Sequence, residues 1–272
     1  MKIPFHKSAP ARELRKPTPT PIPEMPTVRV GALYRGARVG GDFYDFTPAG
    51  STRLLILLLD IAGQRDEALH IAAAVQDVFH GAADLFWHDE VNEAVALAGL
   101  SLEINRAIME AAGGVRCAPA FLGCYNEVLG TLCYVNAGHT PALLKDGDEV
   151  TSLDSNGFPL GLFSHATHES QMCVLPHGSA LVMVSRGLVE AKAGREEFGM
   201  ERVKAAVQAA PTHDAQEVCR YVLEAVKTYL EEHRHHLLKR GNHAIAEADP
   251  LGENDATTLA LVRSAAAAAV VP

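Results

Sequence analysis

The sequence predicts an α+β fold in which helices cover antiparallel sheets. Three observations lead there. Apolar residues alternate with a period of two in several short runs separated by Gly and Pro turns. Two long stretches with helical spacing stand together between the early and the middle strands. The order of elements is strands, a helix pair, many strands, helices, one strand. That is not the β-α-β-α alternation of a parallel nucleotide-binding sheet, and no GxGxxG loop is present.

The elements follow in order. Val28, Val30, Ala32 and Tyr34 alternate as in a strand. After Gly40 and Gly41, Phe43 to Phe46 reads as a second strand, closed by the turn Pro48-Ala49-Gly50. Arg53 to Leu59 is an apolar run short enough for a strand buried on both faces. These first strands are expected to pair as antiparallel hairpins. From Asp66 to about Phe86, Ala68, Ile71, Ala72, Val75, Phe79 and Ala82 fall at helical spacing. Asp89 is placed to cap a second helix that runs to about Ala112, where Gly113-Gly114 stops it. Strands return at Ala118 to Tyr125 and Thr131 to Asn136. Asp146-Gly147-Asp148 joins Ala142 to Lys145 with Glu149 to Leu153, a hairpin signal. Met172 to Leu175 and Ala180 to Val184 are further strands. Helices at about Met200 to Ala209 and Asp214 to His233 precede a last strand, Thr258 to Val262.

Composition narrows the function classes. The 272 residues carry 24 Lys+Arg against 33 Asp+Glu, a formal charge of -9, which argues against a nucleic-acid binder. Hydrophobic residues at 48% and charged residues at 21% argue for a packed core over disorder. Leu54 to Leu59, the longest early apolar run, is too short to span a bilayer, so no membrane partner is expected. The start is basic (Lys2, Lys7, Arg12, Arg15, Lys16), but no apolar stretch follows it, unlike a secretory signal. Pro17, Pro19, Pro21, Pro23 and Pro26 extend it. The reading is a basic, Pro-rich arm over residues 1–26, one domain over 27–264 and an Ala-rich tail over 265–272. Such an arm is either a loose terminus or a contact for an acidic partner. Five cysteines without a Cys-x-x-Cys pair read as small buried hydrophobes in a reducing cytoplasm.

The chemistry candidates are acids at strand ends. Asp42 follows a double glycine, Asp60 ends the most apolar early strand, and Asp255 precedes the last strand. A carboxylate where a buried strand meets a loop is rigid and half desolvated, and costly unless paired. Several converging there repel one another, and a hard divalent cation, Mg²⁺ or Mn²⁺, relieves the repulsion. An Asp in such a place also commonly just caps a turn.

The same residues resemble a known family. VGGDFYDF at Val39 to Phe46 is similar to the signature of metal-dependent protein serine/threonine phosphatases (PPM), in the bacterial branch named after stage II sporulation protein E. LLLDIAGQ (Leu57 to Gln64), YVNAGHTPALL (Tyr134 to Leu144), GFPLGLF (Gly157 to Phe163) and EEFGMERV (Glu196 to Val203) resemble further family stretches in order. The resemblance spans about residues 20–263. It implies a sandwich of two antiparallel sheets flanked by helical layers. It also implies two Mn²⁺ or Mg²⁺ ions that activate water against a phosphoserine or phosphothreonine. Carried over by motif, Asp60 would bridge the metals and the Ile61 carbonyl would complete one site. Asp42 would hold metal or its water, and Asp45 would be a supporting acid behind them. The implied partner is a phosphorylated bacterial regulatory protein, such as an anti-sigma-factor antagonist.

The sequence departs from the family at the ligands. The family's Thr-Asp-Gly-Val/Leu-x-Glu reads Ser185-Arg186-Gly187-Leu188-Val189-Glu190, so Arg186 replaces an acid. Its Asp-Asp-x-Thr reads Asn254-Asp255-Ala256-Thr257, so Asp255 ligates only if the chain slips by one residue. Its Ser-Gly-Lys/His-Gly after the bridging Asp reads Ala62-Gly63-Gln64-Arg65. Three readings follow. The first is a phosphatase with one metal and Arg186 binding the substrate phosphate. The second is an impaired relative that binds and regulates a phosphoprotein. A third is that Arg186 merely forms a salt bridge with Asp255, Asp60 or Asp42 and stiffens a degenerate site. His139 reads as structural more than catalytic. His233, His235 and His236 read as a solvated helix end, as do Lys239 and Arg240. Ser185 lacks the G-x-S-x-G elbow of a hydrolase nucleophile.

Overall fold

The third strand, β3 (Arg53–Asp60), is the pivot of the architecture, because Leu54 to Leu59 are all fully buried. A strand apolar on both faces needs a layer on each side. Leu55, Leu57 and Leu59 meet the helices α1 (Arg65–Phe86) and α2 (Glu93–Ala112). Leu54, Ile56 and Leu58 meet a second sheet through Leu181, Met183, Leu259 and Leu261. Each such leucine contributes about 1.5–3 kcal/mol on burial. The computed structural model describes residues 15–35, 41–87, 91–238 and 255–265, without the side chains of residues 84 and 233–238.

The remaining strands are β1 (Val28–Arg35), β2 (Asp42–Ala49), β4 (Ala120–Asn126), β5 (Thr131–Ala137), β6 (Ala142–Asp146), β7 (Glu149–Leu153), β8 (Gln171–Val174), β9 (Ala180–Val184), the short β10 (Lys192–Ala193) and β11 (Glu196–Glu197), and β12 (Ala256–Arg263). The helices after β9 are α3 (Arg186–Val189), α4 (Gly199–Ala209) and α5 (Ala215–Leu238). One sheet runs β2-β3-β4-β5-β8 and the other β1-β12-β9-β6-β7, both antiparallel. α1 and α2 cover the first, and α4 and α5 cover the second. The α+β sandwich with flanking helical layers is therefore the observed fold.

Several details differ from the sequence expectation. β1 forms no hairpin with β2; it pairs with β12, Val28 opposite Arg263, across most of the chain. Local pattern marks a strand but not its partner, which tertiary burial selects. β2 continues through Pro48 to Ala49, which an edge strand tolerates. The cap of α2 is Asn92, whose side chain accepts from the Ala94 and Val95 amides at 3.1 and 3.2 Å. Asp89 lies outside the described residues. Gly113 ends α2 at φ 68, as the double glycine implies. α3 and the β10–β11 pair carry no clear period and escape the sequence reading. Cys124, Cys133 and Cys219 are buried, and all five cysteines are free thiols. Among the described residues, no helix is long and apolar enough to cross a membrane.

Candidate acidic site between the sheet ends

Antiparallel register brings the first two acids together. β2 begins at Asp42, β3 ends at Asp60, and the two stand directly opposite each other. Opposed residues project to the same face. Their neighbours on that face, Phe46, Ile56 and Leu58, pack toward the second sheet, so both carboxylates face the gap between the sheets. The other sheet delivers its chain ends to the same place. Val184 at the end of β9 pairs with Thr258, and the Ser185 amide donates to the Thr257 carbonyl at 2.9 Å. Ser185, Arg186, Asp255 and Thr257 therefore cluster there. Thr257 Oγ1 donates to Asp42 Oδ2 at 2.8 Å, a direct bond between the sheets. Arg186 Nε donates to Asp60 Oδ2 at 3.1 Å. Its side chain is 56% exposed while that of Asp60 is 11% exposed, so the arginine is still more than half open to solvent.

The turn after β3 is held by backbone bonds. Asp60, Ile61 and Ala62 donate their amides to the carbonyls of Pro119, Gly41 and Cys117 at 2.9, 3.0 and 3.1 Å. A Cβ on Gly41 would lie 1.9 Å from the Ile61 oxygen, so only glycine admits this approach. Asp60 does not cap α1, whose N-cap is Gln64.

Crowding of acids shifts their protonation. Burial pushes the Asp42 carboxyl up to about 7, helped by the charges of Asp60 and Asp255 and opposed by the Ser185 and Thr257 hydroxyls. Burial also raises Asp255, which is 5% exposed and has no well-aligned hydrogen-bond donor on either oxygen. The Tyr34 hydroxyl, the Arg65 charge and the Asp42 amide partly offset that rise. Tyr34 is in turn pushed up to about 12 by burial and by the charge of Asp255. Within electrostatic reach of Asp60 and Arg186, His139 is 4% exposed with Nε2 unpartnered. Burial lowers it to about 4, against the Thr140 carbonyl and the Asp60 charge. The next residue, Thr140, donates its Oγ1 to the Val184 carbonyl, at the end of the strand that delivers Arg186.

Of the residues singled out from sequence, Asp42, Asp60, Ile61, Asp255 and Arg186 come together. Asp45 does not, which corrects its expected place behind the ligands. Three residues after Asp42, it projects from the opposite face of β2, under α1. There its fully buried carboxylate accepts from the Phe46 amide, Gln76 Nε2 and His80 Nε2, each at 2.8 Å. Asn254, Lys239, Arg240 and the side chains of His233, His235 and His236 lie outside what is described. Four further participants carry no chemical signal in the sequence. Tyr34 showed only as a strand residue, and Cys117 only as an apolar thiol. Ser185 stands out only as a nucleophile candidate without its elbow, and Thr257 only as part of a motif. Their one signal was position: each sits at a strand end or beside one.

The donor set does not fit a two-cation centre. The three carboxylates share one end of the sandwich. Yet among the described residues no group of three or more His, Cys, Asp or Glu side chains is gathered to hold a metal. A guanidinium already occupies one oxygen of Asp60. Two unit charges about 4 Å apart interact by about 4 kcal/mol at an effective dielectric of 20, and a dication doubles that repulsion.

Comparison with known proteins agrees with the fold. The sequence profile of the family described as "Stage II sporulation protein E (SpoIIE)" matches residues 50–236. Protein IcfG from Synechocystis sp. (strain ATCC 27184 / PCC 6803 / Kazusa) is 23% identical over 207 residues, covering 68% of this chain and 33% of IcfG. The RsbU and RsbW domains of Rv1364c from Mycobacterium tuberculosis superimpose with a TM-score of 0.68 at 20% identity, over 88% of this chain and 62% of that one. The PP2C phosphatase domain of SpoIIE from Bacillus subtilis, solved with a fragment of its regulatory domain, gives 0.61 at 18% identity, over 87% and 62%. The chain thus spans about a third of the length of IcfG and under two thirds of the chains in these two structures.

Proposed function

The chain belongs to the stage II sporulation protein E family, and from that premise we propose that it binds the phosphoserine or phosphothreonine of a bacterial regulatory protein and acts as a regulatory module. An anti-sigma-factor antagonist is the partner type the resemblance suggests. The observation that carries this reading is the Arg186–Asp60 ion pair at 3.1 Å. It puts a fixed positive charge where the family motif has an acid. With Nε committed to Asp60, the outer nitrogens of a half-exposed guanidinium remain free to fork onto a phosphate. Asp60 then acts as the positioning group for the arginine, and Thr257 and Ser185 hold Asp42 beside it.

A second reading, slow hydrolysis, is favoured by a different observation. Asp42 and Asp60 face each other, and the Ile61 carbonyl is drawn against Gly41. The free oxygen of Asp60 and that carbonyl would hold one Mn²⁺ or Mg²⁺, which would supply Lewis acidity toward a phosphate oxygen.

One assay separates the two: phosphate release from a phosphoserine protein or p-nitrophenyl phosphate, with and without Mn²⁺. The binding reading expects no turnover in the native sequence and recovery in the Arg186→Asp, Asn254→Asp double variant. Mn²⁺-dependent turnover that disappears in Asp60→Ala would establish the hydrolase instead.

A further inference from the structure

Two arginines border the acidic site. Arg186 reaches Asp60 from the end of β9. Arg65 is the first residue of α1. It lines a cavity of about 30 Å³ together with Tyr34, Gly41, Asp42 and Phe43. That volume suits about one or two waters and is too small for a phosphate. Both arginines stand where the family motifs have something else, Arg186 at an acid and Arg65 at a glycine. The two departures place positive charge at neighbouring carboxylates, Arg186 on Asp60 and Arg65 in the cavity beside Asp42. Buried acids in contact otherwise need protons or cations to remain together.

We propose that Arg65 and Arg186 are the resident counter-charges of this site, taking over from divalent cations both the holding of Asp42, Asp60 and Asp255 and the attraction of a phosphate monoester. The ligand half rests on the phosphoprotein-binding reading above. Arg65, exposed like Arg186, lines the cavity beside Asp42 and serves the carboxylates from that side. Arg186 faces solvent and serves both Asp60 and the incoming anion. Arg65 also lies within electrostatic reach of Asp255 and Tyr34. The domain should therefore be indifferent to metals, for a cation entering here meets two guanidinium groups.

The test uses the full chain, stripped with EDTA. Mn²⁺ uptake is followed by electron paramagnetic resonance and calorimetric titration, and Tm is measured with and without Mn²⁺. The native sequence is expected to take up no Mn²⁺ and to keep its Tm within about 1 °C, because only a ligand that binds the folded state raises it. Arg65→Gly with Arg186→Asp is expected to melt lower in EDTA and to gain about 5 °C or more with saturating Mn²⁺. If that variant does not fold, Arg186→Gln serves. It removes the charge while leaving a shorter polar amide, and titration with O-phosphoserine in EDTA should show a tenfold or greater loss of affinity against the native chain. Mn²⁺ uptake with a raised Tm in the native chain overturns the counter-charge proposal. An unchanged Mn²⁺ result without phosphoserine binding overturns the ligand half and the functional reading, and leaves the counter-charges standing.

Discussion

Replacing Asp45 by Asn separates a structural acid from a functional one. The native carboxylate has no exposure and three donors at 2.8 Å. In Asp45→Asn one oxygen still accepts from the Phe46 amide. The other becomes an NH₂ group facing Gln76 Nε2. Gln76 cannot turn its amide round to help. Its Oε1 already accepts from the Thr18 amide and hydroxyl at 2.8 and 3.0 Å, and its Nε2 also donates to the Thr18 carbonyl at 3.1 Å. Losing a charge-assisted bond and stranding a buried donor costs about 1.5–3 kcal/mol. His80 is 46% exposed and regains water, so its loss adds only about 0.5–1 kcal/mol. The sum, about 2–4 kcal/mol, corresponds to a Tm lower by roughly 5–12 °C for a domain of this size. Thermal and urea denaturation would measure it, with O-phosphoserine affinity at 25 °C as the control. That affinity should not change, because Asp45 lies on the far face of β2 from Asp42. A Tm within about 1 °C of native, or lost phosphoserine binding in a folded protein, would refute the reasoning.

Other outcomes are expected together. Asp42 holds its proton up to about pH 7 when folded, against about 4 when unfolded. Its contribution to stability is therefore full below about pH 4 and lost as pH rises toward 7, by as much as about 4 kcal/mol. Asp42→Asn should flatten that fall, seen in urea midpoints at pH 5 and pH 8; an unaltered pH slope would contradict it. Gly41→Ala puts a carbon 1.9 Å from the Ile61 oxygen, so it should cost about 2 kcal/mol or more and weaken phosphoserine binding in the same titration. Lys145 Nζ donates to the Gln208 and Ala210 carbonyls at 2.6 Å, closing the end of α4. Lys145→Met should lower stability by about 1–3 kcal/mol in urea denaturation without altering ligand affinity.

How much of this was legible beforehand varied by kind of information. Periodicity found the long elements, because burial of one face imposes a repeat on the sequence. It missed α3 and the β10–β11 pair, which are too short to show one. Glycine pairs and strand ends pointed to Asp42, Asp60 and Asp255, since a carboxylate after an apolar run is conspicuous. Asp45 was misplaced for a simple reason. It stands three residues from Asp42 in the same motif, and a strand turns every odd step to the other face. Motif proximity therefore suggested a shared site where the pleat forbids one. Arg65 was visible as a departure, but its target was not.

The sequence by itself determined the layers and the chemical inventory: which runs are apolar on two faces, which acids end them, and that residue 186 carries the opposite charge to the acid of the family motif. Tertiary structure alone decided which of these meet. Thr257 Oγ1 reaches Asp42 at 2.8 Å across 215 residues, and Arg186 reaches Asp60 across 126. No local pattern encodes such contacts, because they arise only when two sheets, each selected by its own buried face, pack and bring four strand ends to one edge. Burial there removes the water that would have kept these charges independent, and the side chains must then satisfy one another.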